Sequence, residues 1–172
     1  MIVARRGSGA PIERVEVSAY EIPTEAPEAD GTLEWDSTTL VVVKAHAGGH
    51  AGIGYTYAGS AAASLVRDVL ARVVRGRDAM NVGESWAAMV RSIRNIGRPG
   101  VGSMAIAAVD VALWDLKAKL LDLPLVTLLG AVRDGVPLYG SGGFTTQSGE
   151  VLKADCRQWV EQGIPRVKIK VG

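Results

Sequence analysis

The five residues Val167-Lys168-Ile169-Lys170-Val171 constrain this chain more than any other stretch. Strand side chains alternate, so Lys168 and Lys170 share one face and the three aliphatic residues share the other. An amphipathic helix read from Glu150 to Gln162, ended by Gly163, precedes this strand, and a short strand from Val136 to Tyr139 precedes the helix. Strand–helix–strand order implies parallel strands with a right-handed crossover. Parallel strands are normally covered on both faces and read as continuously apolar, so two ammonium groups there need a reason. Inside a closed parallel barrel the second face is the interior, and residues near the C-terminal end of a strand open onto the active site. Adjacent like charges also disfavour each other, which leaves one amine usable as a base near neutrality. An edge strand with solvated lysines would give the same pattern.

The residues before Gly135 follow a different grammar. Ile12 to Ile22 alternates in part, and Thr38 to Ala45 is β-branched and apolar, so both read as strands. Gly48-Gly49 turns the chain, and Ala51 to Tyr57 returns as the second arm of a hairpin, for a three-stranded antiparallel sheet. Between the first two strands, Pro23 to Asp36 has the composition of an exposed mobile loop. Helices are expected from Ala61 to Val74, from a capping box at Asn81 and Glu84 through Ile96, and from Val101 to Leu121, with a last turn at Leu125 to Leu129. The third of these is apolar almost all round and reads as central and buried, its acids Asp110 and Asp115 capping or pairing with Arg or Lys. The boundary falls at Val132 to Gly135, giving domains 1–134 and 135–172.

Composition narrows the class. With 48% apolar residues among 172 there is ample surface to bury, which excludes a disordered chain. A net charge of +1 argues against a nucleic-acid binder, and charges interrupt every apolar run short of a membrane span. The single cysteine, Cys156, excludes an internal disulfide or a Cys-rich zinc site, fits a reducing compartment, and reads as a packing residue. The start, Met1-Ile-Val-Ala-Arg5-Arg6, has no apolar core behind its arginines, so no signal peptide is expected and the location reads as cytoplasmic. His46 and His50 are four apart, but Gly48-Gly49 forbids the helix that would make them a metal pair. Gly140-Ser-Gly-Gly143 lacks the dinucleotide-binding fingerprint.

The run from Gly102 to Lys119 with its Val-Asp-Val-Ala-Leu-Trp-Asp core, then Leu123-Pro-Leu-Val-Thr-Leu-Leu-Gly130, then the Lys168-Ile-Lys170 strand resembles the mandelate racemase and muconate-lactonizing enzyme family of the enolase superfamily. The resemblance covers the chain from Ile12 onward, in order and spacing. It implies an α+β capping domain, a three-stranded antiparallel sheet plus a helical bundle, followed by the first β-α-β unit of a modified (β/α) TIM-type barrel. It further implies that Lys170 moves the proton α to a substrate carboxylate, while Lys168 helps hold that carboxylate and keeps Lys170 partly neutral. Such sites pair a Lys or His base with Mg²⁺ that stabilises an enediolate.

Tyr139-Gly-Ser141 is similar to a Tyr-x-Ser step in which the serine hydrogen-bonds the carboxylate; a serine in a Gly-rich turn is the plain alternative. Gly52 to Tyr57 is similar to a capping-domain loop that reaches the substrate, with Tyr57 the better match and Tyr55 the alternative, and either could be an ordinary aromatic at a strand end. Pro23 to Asp36 corresponds to the lid loop that sets substrate choice, with Glu25, Glu28 and Asp30 solvated. The family's Mg²⁺ ligands are expected beyond residue 172, with none within it, so the chain reads as the N-terminal portion of a longer enzyme. The implied reaction is racemisation or dehydration of a hydroxy acid or acid sugar, with a small carboxylate as substrate and a homo-oligomer as assembly. Two other readings stay open: a capping and oligomerisation fragment without catalysis, and a barrel enzyme using Lys170 as a Schiff-base nucleophile.

Overall fold

A computed structural model describes residues 9–172; the start at Met1 to Arg6, where no signal peptide is expected, lies outside the described residues. Three strands open the chain, β1 (Arg14–Ala29), β2 (Glu34–Ala47) and β3 (His50–Tyr57), in the sheet order β1-β2-β3. Strands β2 and β3 are antiparallel with Ala47 opposite His50 and Leu40 opposite Tyr57. Along β2, Val41, Val43, Ala45 and Ala47 are buried at every second position, the period of a sheet with one face on the core.

Helical segments follow: α1 (Ser60–Leu65), a π-helical turn (Val66–Leu70), α2 (Ala71–Val74), α3 (Val82–Ser92), α4 (Val101–Leu120) and α5 (Leu125–Leu129). Their inward side chains Val66, Leu70, Val74, Met89, Ile93, Val109, Leu113 and Leu116 join those of β2 in one core. Helix α4 packs along β3 closely enough that a Cβ at Gly52 would strike the Ala112 carbonyl, and one at Gly54 the Ala108 carbonyl. Edge strand β3 leaves its outer backbone groups without a neighbouring strand, and α4 supplies partners. Ile53 N–H donates to Asp115 Oδ2 at 2.8 Å, and Lys119 Nζ donates to Ala51 O and to Asp115 Oδ2, both at 2.8 Å. Asp115 thus pairs with a lysine, as its sequence position suggests.

The last elements are β4 (Gly140–Ser141), α6 (Gly149–Glu161) and β5 (Val167–Lys168), with β4 and β5 parallel. Contacts divide the chain into two compact units, Met1–Glu21 with Thr39–Gly130, and Ile22–Thr38 with Ala131–Gly172. No helix among the described residues is long and apolar enough to cross a membrane.

Five expectations are corrected. Pro23 to Asp36 is not an irregular loop: β1 runs to Ala29, β2 starts at Glu34, and only a tight turn separates them. Asp30 Oδ1 closes that turn by accepting from Thr32 N (2.7 Å), Thr32 Oγ1 (2.8 Å) and Leu33 N (2.9 Å), so local side-chain bonding organises what composition reads as loop. The capping box does not form, because Asn81 Nδ2 reaches Asp78 Oδ2 (3.4 Å) while Glu84 accepts from Arg77 Nη1 (3.4 Å). Helix α3 also stops at Ser92, four residues before Ile96. Helix α4 is not buried all round, since Val101, Met104 and Val111 are exposed. The first strand of the strand–helix–strand unit is Gly140–Ser141, not Val136 to Tyr139, because pairing begins only where Gly140 N–H donates to Arg166 O at 2.9 Å.

Candidate active site

Trp159 decides which way the lysines face. A Cβ at Gly140 would collide with the Trp159 indole, and one at Gly142 would lie 3.1 Å from it, so these two glycines turn the same face of their strand toward α6. Ser141 alternates to the opposite face. In the parallel register Gly140 pairs with Val167 and Ser141 with Lys168, and paired residues share a face. Val167 and Ile169 therefore lie on the α6 side, and Lys168 and Lys170 lie with Ser141 on the other. The bonding continues beyond the formal strands, with Gly142 N–H donating to Lys168 O (3.2 Å) and Lys170 N–H donating to Gly143 O (2.9 Å). Lys168 and Ser141 are exposed and Lys170 is half-buried.

The tip of the β1–β2 hairpin belongs to the same compact unit and contributes to the surroundings of Lys170. Thr145 N–H donates to Ala29 O (3.0 Å) and Thr146 Oγ1 to Pro27 O (2.7 Å), which fastens the tip to the segment after β4. Trp35 stands edge-on to Phe144 with centroids 5.8 Å apart, and its Nε1 donates to Glu28 Oε2 at 2.8 Å. Lys170 Nζ lies 5.9 Å from the centroid of the same Phe144 ring, within reach of a cation–π attraction. The Asp30 carboxyl is held below the usual carboxylate range, first by the Thr32 and Leu33 hydrogen bonds and to a lesser degree by the Lys170 charge. Glu28 and Asp30 are thus engaged in the hairpin itself, while Glu25 is exposed.

Tyr55 and Tyr57 sit in the other compact unit, on the exposed face of β3 opposite the Gly52 and Gly54 face that meets α4. They are 61% and 63% exposed and pack edge-to-face on each other at 6.2 Å. His46 Nε2 lies 3.5 Å from Glu16 Oε2, and no group of three or more His, Cys, Asp or Glu among the described residues could hold a metal ion. Sequence reasoning missed Phe144, Trp35 and Trp159, the first being the chain's single phenylalanine. Nothing in their spacing marks them, although the Gly-x-Gly at 140 and 142 is a trace of close approach by a large neighbour.

A parallel β-α-β unit after a sheet-and-helix domain, with two lysines on the strand face away from its helix, defines the first part of an α+β cap followed by barrel-type strands. The family model for the N-terminal domain of mandelate racemase / muconate lactonizing enzyme matches residues 15–130, and the chain belongs to that family. It is 34% identical over 167 residues to 3,6-anhydro-alpha-L-galactonate cycloisomerase of Streptomyces coelicolor, covering 94% of this chain and 46% of that protein. A mandelate racemase/muconate lactonizing enzyme-like protein from Rubrobacter xylanophilus superposes with a TM-score of 0.92 at 54% identity, over 94% of this chain and 45% of the other. L-talarate/galactarate dehydratase from Salmonella typhimurium LT2, liganded with Mg and L-lyxarohydroxamate, superposes with a TM-score of 0.85 at 28% identity, over 100% and 46%. The chain therefore spans about half the length of the curated relatives it matches.

Proposed function

We propose that the protein abstracts the proton α to the carboxylate of a hydroxy acid or acid sugar and passes through an enediolate to dehydration or racemisation. One observation carries this reading: Lys168 and Lys170 lie with Ser141 on the strand face turned away from α6, the face that becomes the interior when such strands close into a barrel. In this reading residues 1–134 form the cap and 135–172 begin the barrel, which agrees with a family match ending at residue 130. The cycloisomerase and dehydratase named above act on sugar-derived acids by their names, which supports that substrate class.

Lys170 takes the α-proton. Lys170 is half-buried one pleat beyond Lys168, and its amine lies within cation–π reach of the Phe144 ring. Lys168 and Ser141, paired across β4 and β5, offer an ammonium and a hydroxyl to the two carboxylate oxygens. As the α-carbon loses its proton a second negative charge develops on those oxygens, and a fixed cation beside them lowers that barrier. Mg²⁺, which would supply charge neutralisation for such an enediolate, belongs to this reading through the family, whose resemblance puts its ligands beyond residue 172.

The full-length protein with Mg²⁺ should exchange the α-proton of an acid-sugar carboxylate for solvent deuterium, read by NMR. Lys170→Ala should slow this exchange by on the order of 10²–10⁴-fold, the usual contribution of a positioned base. Unchanged exchange in that variant, or borohydride trapping of substrate on Lys170 in favour of a Schiff base, would overturn the assignment.

A further inference from the structure

Four arginines drawn from separate segments of the first compact unit line one pocket of about 210 Å³. Arg14 comes from β1, Arg67 from the π-helical turn, Arg72 from α2, and Arg75 caps that helix; Val15 and Ala71 complete the wall. Arg14 is neutralised locally, its Nε donating to Glu16 Oε1 at 2.8 Å. Arg67, Arg72 and Arg75 are exposed, and among the described residues none of them has a carboxylate within ion-pair distance. Like charges gathered around one hollow repel each other, and an anion seated among them would turn that repulsion into attraction. We propose that this pocket binds a phosphate group. Guanidinium forks match the paired oxygens of phosphate, and three forks exceed what the two oxygens of a single carboxylate can satisfy. The hollow has room for a terminal phosphate with a small attached group, and its walls come from a strand and a helix rather than a flat stripe. Arg67 sits on the π-helical turn, and such turns occur frequently at functional sites.

The full chain should show a saturable rise in melting temperature, and heat by titration calorimetry, with inorganic phosphate, pyrophosphate and a sugar monophosphate at constant ionic strength set by sodium chloride. Tighter binding of the sugar phosphate than of the free ion identifies an ester as the ligand, and equal binding identifies the ion; both support the site. Arg67→Gln with Arg75→Gln should weaken binding tenfold or more without lowering the melting temperature in phosphate-free buffer, and Arg67→Lys with Arg75→Lys should weaken it less. The proposal is overturned if phosphate does no more than chloride, if the glutamine pair binds as well as the parent, or if only a duplex oligonucleotide binds.

Discussion

Two aspartates show how differently one residue type is used in this chain. Asp30 gathers three hydrogen bonds at the hairpin tip, and they hold its carboxyl below the ordinary range. Its ionised form therefore stabilises the fold above the ordinary carboxylate value, and that contribution is lost as pH falls through the lowered one. Asp110 on α4 is the reverse: partial burial raises its carboxyl, so its ionised form opposes folding at neutral pH, and the penalty is relieved as pH falls through the raised value. Melting curves across pH check both. Asp30→Asn should lower the melting temperature at pH 7 and narrow the gap from the parent in acid, whereas Asp110→Asn should raise it at pH 7 and lose that gain in acid.

Glycines set the distances between elements. Strand β3 meets α4 through Gly52 and Gly54, and β4 meets α6 through Gly140 and the Trp159 ring. A methyl at Gly54 points at the Ala108 carbonyl, and backbone cannot rotate out of the way as a side chain can. Gly54→Ala should destabilise the protein by about 3 kcal/mol, the upper part of the usual overpacking range, measured by denaturant titration. Gly140→Ala should cost about 1–3 kcal/mol, since the indole can tilt, but any tilt moves the strand that aligns Ser141 with Lys168. The hairpin tip is held more lightly, through Trp35 and Glu28. Trp35→Phe keeps the ring against Phe144 and removes the 2.8 Å bond to Glu28, for an expected loss of about 1 kcal/mol in thermal unfolding.

Across the molecule, burial is uneven. The first unit holds the continuous core of β2, the helices and α4, while α6 has no buried residue and Val167, Ile169 and Val171 are exposed. Stability should follow: in hydrogen exchange of this 172-residue chain, amides of β2 and α4 should stay protected longest and those of α6 and β5 should exchange at least tenfold faster. If α6 is as protected as α4, the assignment of these residues to a barrel that needs further strands is wrong.

Much of this was legible in the residues. Alternation and the Gly48-Gly49 turn foretell the antiparallel sheet, helical spacing foretells the helical stretch over α1 and α2 (though not its π-helical turn) and the later helices, and strand–helix–strand order foretells the parallel unit, because each is set by backbone geometry within a few residues. Lys168 and Lys170 sharing one face follows in the same way. Which face it is does not, since alternation has no preferred sign until something packs on one side. Trp159 on Gly140 and Gly142 supplies that sign. The same holds for the hairpin that replaces the expected loop, for Phe144 beside Lys170, and for the four arginines around one pocket. Periodicity along the chain determined the elements and the lysine pair; contacts between residues far apart in sequence decided what those elements face, because packing depends on neighbours that local spacing does not encode.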